Sequence, residues 1–232
     1  MQLVPEQYRS SFIPLGDDVP GLGVNETVIF VELGRENHAA PLGLPIDSGF
    51  QETKIEIPYI RRVAGSNVPF LYRRLVVVDS LIDVAGSLTV YGLNTTLAAS
   101  VPANSSDMSD FNESLPGIVE GRFLQADSTR IPYTTFQKIR EMPWFGDEGL
   151  TGSLCAANYW DWRPASEDVI PLNGEFSQYI LSDLTAHVAI GNITLFGEFA
   201  GPVGSSVKYF AEAYRGTLNF NISYPYPCST YA

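Results

Sequence analysis

The side chains best suited to covalent or metal chemistry are few in this chain of 232 residues: two histidines, His38 and His187, and two cysteines, Cys155 and Cys228. Nucleophilic catalysis needs a nucleophile held against a base, and the run Gly152-Ser153-Leu154-Cys155-Ala156 lacks the trailing glycine of a nucleophile elbow. His187 flanks an apolar run and reads as a hydrogen-bonded strand residue; His38 lies in a loop. Scattered in this way, the four side chains give no zinc spacing. Asp17-Asp18, Asp107 with Asp110, and Asp147-Glu148 could each offer oxygens to calcium, but acid pairs in polar loops are ordinarily just solvated. Nothing among the 26 acids singles out a pair for glycoside hydrolysis, and no phosphate-cradling glycine loop opens a helix. Trp144, Tyr159, Trp160 and Trp162 gather with Asp161 and Arg163. Exposed, these rings would stack on sugars or bases; the favoured reading is a packed loop with Arg163 lying over the aromatics. The sequence thus marks no catalytic residue, no cofactor-binding residue and no metal ligand, and reads as a non-enzyme.

The elements that would position such groups are mostly strands. Thr27 to Val31 is a continuous β-branched and aromatic run, Lys54 to Ile57 alternates polar and apolar before Pro58, and Leu75 to Val78 is apolar throughout. Ser87 to Tyr91 alternates and ends near Gly92. Leu218, Phe220 and Ile222 face one way and Asn219, Asn221 and Ser223 the other, which predicts a strand closed by Pro225 and Pro227. Two short helices are expected. Val207, Phe210, Ala211 and Tyr214 fall at helical spacing, with Ser205 or Ser206 as cap and Gly216 as stop, and Thr135 to Met142 carries Phe136 and Ile139 on one face. Residues 100–121, rich in Ser, Asn and Asp, read as an exposed loop or linker. With 45% apolar residues and many Gly and Pro, the expected fold is all-β: an antiparallel jelly-roll β-sandwich with one or two short helices, forming a single domain over residues 1–232.

A formal net charge of −12 argues against strong nucleic-acid binding by this chain, and no apolar run reaches the length of a membrane span. The densest basic cluster is Arg61-Arg62 with Arg73-Arg74. The start at Met1 carries no signal pattern, which predicts a chain cytosolic at birth if Met1 is the true start. Two cysteines do not make a disulfide framework; unpaired thiols are expected, with one long-range disulfide as the alternative. Sequons at Asn25, Asn94, Asn104, Asn112, Asn192 and Asn221 keep open a second reading, a secreted N-glycosylated β-sandwich binding module, with carbohydrate as a candidate ligand.

Val207 to Ser223 (VKYFAEAYRGTLNFNIS) resembles the coat proteins of picorna-like viruses of dicistrovirus and marnavirus type, where a short helix runs into an aromatic-Arg-Gly-Ser/Thr-Leu turn and then a strand. Here those turn positions are Tyr214, Arg215, Gly216, Thr217 and Leu218. Pro132 to Trp144, Gly191 to Phe199, Lys54 to Tyr59 and Gly86 to Asn94 are similar to further segments of that family. Ser109-Asp110-Phe111 is similar to an Asp-Asp-Phe element linked in some relatives to maturation, without its first Asp. The motif order is permuted: residues 117–232 followed by 1–116 would restore the usual order. The resemblance implies a structural capsid subunit of a small icosahedral RNA virus, assembled in the host cytoplasm and located in the virion. Its partners would be other capsid subunits and a host receptor, and it would need no cofactor. The permutation predicts that Tyr231-Ala232 lies beside Met1-Gln2.

Overall fold

A computed structural model describes residues 3–15, 19, 22, 26–36, 40–41, 49–100, 110–147, 149, 151–162, 176–178, 187–200, 205–215 and 219–232. In chain order the strands are β1 (Phe30–Glu36), β2 (Ala40–Pro41), β3 (Phe50–Ile60), β4 (Phe70–Val78), β5 (Thr95–Leu97), β6 (Asp110–Leu115), β7 (Val119–Gln125), β8 (Trp144–Phe145) and β9 (Leu154–Cys155). They continue with β10 (Asn158–Asp161), β11 (Phe176–Gln178), β12 (His187–Phe196), β13 (Ser206–Arg215), β14 (Asn219–Ile222) and β15 (Tyr226–Pro227). Two α-helices, α1 (Leu81–Tyr91) and α2 (Tyr133–Glu141), interrupt them.

The described strands form four sheets: β1-β3-β4-β5 with β8 also on β4, β10-β14-β11-β2, β13-β12-β7-β6, and the pair β15-β9. The mostly β class with two helices is therefore observed. Parallel pairings of β4 with β5 and with β8 sit among the antiparallel ones, and these sheets do not establish a jelly roll.

β3 and β4 are the slab around which the rest packs. Every residue of β3 is buried, as are all of β4 but Arg73's neighbour Arg74. A strand covered on both sides can be apolar on both, which is why Leu75 to Val78 runs without alternation. On one face Ile55, Ile57, Leu75 and Val77 meet Leu115, Val119 and Leu195 from β6, β7 and β12. On the other, Leu71, Val76 and Val78 meet Tyr91, Leu93, Ile139, Met142 and Trp144 from α1, α2 and β8. The two contacts follow from residue alternation along one strand.

One irregularity decides which charges enter the interior. The β3–β4 register runs Ile55 with Leu75 and then Glu56 with Arg73, leaving Arg74 as the extra residue of a bulge. The bulge keeps Arg73 on the same face as Val76, three residues on, and turns Arg74 outward to Glu198 at 3.0 Å. Gly191 in β12 lies so close to β7 that a Cβ would stand 1.9 Å from the Arg122 carbonyl oxygen.

Several sequence expectations are corrected. Val207 to Tyr214 is strand, not helix: ten residues of β13 pair with β12, from Ser206 opposite Phe196 to Arg215 opposite His187. Ser87 to Tyr91 is the end of α1, not a strand, closed by Gly92 at φ 62°. Cys155 and Cys228 form a disulfide, not free thiols. β3 continues through Pro58 to Ile60. Residues 100–121 are not simply loop, because β6 and the start of β7 fall within them; residues 101–109 lie outside the described residues. So does Met1-Gln2, and with it the juxtaposition of the termini. Other expectations are met in whole or part: α2 covers Thr135 to Glu141, and in β14 Phe220 is buried, while Ile222, on the same face, is half-buried like Asn221.

Candidate active site

The face of β1 and β3 turned toward α2 carries charge where a core would carry hydrocarbon. Residues two apart share a face, so Phe30, Glu32, Gly34 and Glu36 of β1 lie beside Glu56, Lys54, Glu52 and Phe50 of β3 in the paired register. The bulge adds Arg73 from β4, and α2 contributes Arg140 from its last turn. Four carboxyls and three cations thus meet inside the protein. Their side chains retain 9% exposure or less, except Glu32 at 21%.

The contacts are ordered. Lys54 Nζ lies 3.4 Å from Glu32 Oε2 and 3.7 Å from Glu36 Oε1, and also forms an ion pair with Glu52 Oε2. Arg140 grips Glu32 with both terminal nitrogens, Nη2 at 3.2 Å from Oε1 and Nη1 on Oε2, and its Nη1 lies 3.7 Å from Glu56 Oε2. Arg73 Nε donates to Glu56 Oε1 at 2.8 Å. Aromatic rings wall the cluster: the Arg73 guanidinium lies 3.6 Å from the Trp144 ring centroid, and that of Arg140 lies 4.2 Å from Trp160 and 5.4 Å from Phe30. The Trp160 indole donates to the Arg140 carbonyl at 2.9 Å, and Trp144 to Asn158 at 2.8 Å. Phe136 and Trp162 continue the aromatic array outward from Phe30 and Trp160.

These neighbours push two adjacent carboxyls in opposite directions. Burial opposes ionisation of Glu32, but the Arg140 guanidinium and then the Lys54 ammonium outweigh it and hold its carboxyl down at about 2. Burial raises Glu36 well above the ordinary carboxylate range, and the negative charge and hydrogen bond of Glu52 raise it further, against the pull of Lys54. Lys54 stays an ammonium, because the charges of Glu32 and Glu52 override the effect of burial. It is therefore no free amine nucleophile.

The residues weighed from sequence fall elsewhere. Asp147 is exposed, as expected, and receives hydrogen bonds from Tyr8 and from Gln7 at 3.3 Å that tie down the N-terminal segment. Burial and Asp147 together push the Tyr8 phenol up to about 12. His187 opens β12, as a strand residue. Asp17, Asp18, His38, Asp107, Glu148 and Arg163 lie outside the described residues. Among the described residues no group of three or more His, Cys, Asp or Glu is arranged to hold a metal ion. The aromatic patch is packed as expected, but by Arg140 over Trp160 and Arg73 over Trp144. Three sequons are tied into sheets: Asn192 lies in β12 between two paired strands, Asn221 in β14 between two more, and Asn94 donates to the Arg74 carbonyl. The charge cluster itself was missed. Its signal was Glu52-x-Lys54-x-Glu56 beside Glu32-x-x-x-Glu36, two period-2 charge patterns that read as solvent faces.

No family model matches this chain, and no curated protein matches it. Among solved structures it is similar to the enduracididine biosynthesis enzyme MppR complexed with pyruvate, at 13% identity over 80% of this chain and 68% of that one, TM-score 0.46. It is also similar to acetoacetate decarboxylase from Legionella pneumophila subsp. pneumophila, at 11% identity over 84% and 82%, TM-score 0.39. MppR with the condensation product of pyruvate and imidazole 4-carboxaldehyde gives 12% identity over 91% and 97%, TM-score 0.35. These neighbours are enzymes and not coat proteins. The coat-subunit reading, its virion location and the expectation of a non-enzyme are corrected: none of these comparisons supports them. The strand at Ser206–Arg215 removes the helix on which the resemblance was anchored.

Proposed function

We propose that this protein is an enzyme that moves protons on a small polar substrate at the Glu32–Lys54–Glu36 face. The geometry that supports this most is one ammonium, Lys54, in contact with three carboxyls, of which Glu32 is held low and Glu36 is pushed up by their surroundings. A carboxylate that stays ionised is a base, and a carboxylic acid that stays protonated at neutral pH is an acid; environments that drive two such groups apart divide those roles. Glu32, the member with most access to solvent, is the base, a weak one because Arg140 and Lys54 hold its carboxyl at about 2. Glu36 is the acid, hydrogen-bonded to Glu52. Lys54 and Arg140 hold negative charge that develops on the substrate. Stability is a poor reason for the cluster, because well-packed apolar residues in place of buried ion pairs are commonly as stable or more so.

The test is deuterium exchange in heavy water. The folded protein is incubated with a panel of small carbonyl compounds, amino acids and hydroxy acids, and label at acidic C–H positions is followed by NMR. The expected result is incorporation or conversion for at least one compound, reduced about 100-fold or more in Glu32→Gln. A folded wild-type protein that exchanges none of them, or a Glu32→Gln variant as active as the parent, overturns the reading.

A further inference from the structure

We propose that two copies of this chain dimerise edge to edge through β13, in an antiparallel pairing centred on Phe210. β13 is an end strand of its four-stranded sheet among the described residues. An edge of ten residues is a template for another strand. Val207 packs against the core, but the residues that follow it are open on both faces: Lys208 is exposed, Tyr209 is 45% exposed and Phe210 59%. On the Phe210 face Leu124 and Ile190, paired across β7 and β12, are 63% and 39% exposed and extend the apolar surface.

The sequence of β13 selects both the partner and the register. Directly opposed residues in a sheet share a face. A two-fold axis perpendicular to the sheet preserves faces, so only registers centred on a residue are allowed. Within Ser206–Arg215 the charges are Lys208, Glu212 and Arg215. Placing Lys208 opposite Glu212 of the second copy requires the axis at Phe210. Arg215 opposite Glu212 would violate the face rule. The register that satisfies the charges also matches sizes. Tyr209 then faces Ala211, Val207 faces Ala213, Ser206 faces Tyr214, and Phe210 faces its own mate. Opposite charges and large-on-small pairs are what stabilise adjacent strands. Glu212 is already held by Arg130 Nε at 2.7 Å and by the Ile131 amide at 2.9 Å. Arg130 is 76% exposed and lies over the Phe210 ring, while the Glu212 side chain beneath it keeps 5% exposure; Lys208 of the second copy approaches that carboxylate from the open strand edge. The product is one continuous eight-stranded sheet.

Sedimentation equilibrium of the full chain tests this. The expected wild-type mass is twice the monomer mass. Lys208→Glu places two like-charged pairs across the axis and weakens association about tenfold, whereas Lys208→Arg, which keeps the charge, leaves it unchanged. Phe210→Glu, which sets two carboxylates against each other at the axis, yields monomer with an unchanged circular dichroism spectrum. A monomeric wild type overturns the proposal. So does a dimer indifferent to both Lys208→Glu and Phe210→Glu.

Discussion

Glu113 offers the sharpest thermodynamic prediction. It sits in β6 with 7% exposure, on the side of the slab remote from the charge cluster. Its Oε1 is buried without a hydrogen-bond partner. Burial raises its carboxyl to about 7, and a hydrogen bond with Ser100 only partly opposes this. Ser100 is itself tied to the slab, its amide donating to Gln51 Oε1 at 3.0 Å and its hydroxyl lying 3.2 Å from that of Thr53. In the unfolded chain Glu113 titrates near 4.5. Between pH 4.5 and 7 the folded protein therefore holds a proton that the unfolded chain has lost. Stability falls as pH rises through that window, by about 1.4 kcal/mol per pH unit and about 3 kcal/mol in all, then levels off. Glu113→Gln carries a neutral amide of the same shape at every pH. The expected outcome is a variant within about 1 kcal/mol of wild type at pH 5 and more stable by about 2–3 kcal/mol at pH 8. Urea unfolding at intervals from pH 5 to 8, with the disulfide intact, measures the difference. Parallel stability curves for the two proteins across that range would refute the argument, because other titrating groups cancel in the comparison.

Further outcomes follow from single contacts. Reducing the Cys155–Cys228 disulfide, which spans 73 residues, lowers unfolding free energy by about 4 kcal/mol on the chain-entropy account, read from denaturation with and without reductant. Arg73→Ala leaves Glu56 buried without its 2.8 Å partner and strips the cation from the Trp144 ring; the expected cost is about 3–5 kcal/mol in chemical denaturation. Gly191→Ala forces β12 away from β7, where a Cβ meets the Arg122 carbonyl at 1.9 Å, and is expected to give little folded protein, as judged by circular dichroism and amide exchange.

Local chemistry made parts of this fold legible. The unbroken apolar run at Leu75–Val78 gave β4, and the Phe136/Ile139 spacing gave α2. The alternation around Phe220 gave β14. β13 was misread because Val207, Phe210, Ala211 and Tyr214 fit a helix, while Val207, Tyr209, Ala211 and Ala213 fit a strand equally well; pairing with β12, remote from local propensity, decided between them. The five alternating residues Ser87–Tyr91 were too few to separate strand from helix, and α1 extends back to Leu81. The disulfide joins residues that only the tertiary fold brings together. The charge cluster was hidden for the same reason. Glu52, Lys54 and Glu56 look like a solvent face until α2 and β8 are packed over it, and Arg73 enters only because Arg74 is bulged out.

The central claim is that Glu32 and Glu36 stand in opposite protonation states around Lys54. Carbon-13 NMR titration of glutamate side-chain carboxyls, assigned with Glu32→Gln and Glu36→Gln, measures this directly. The Glu36 signal is expected to remain that of a protonated acid well above the ordinary carboxylate range, while the Glu32 signal stays ionised down to about pH 2. Both signals titrating together near the ordinary carboxylate value would contradict it.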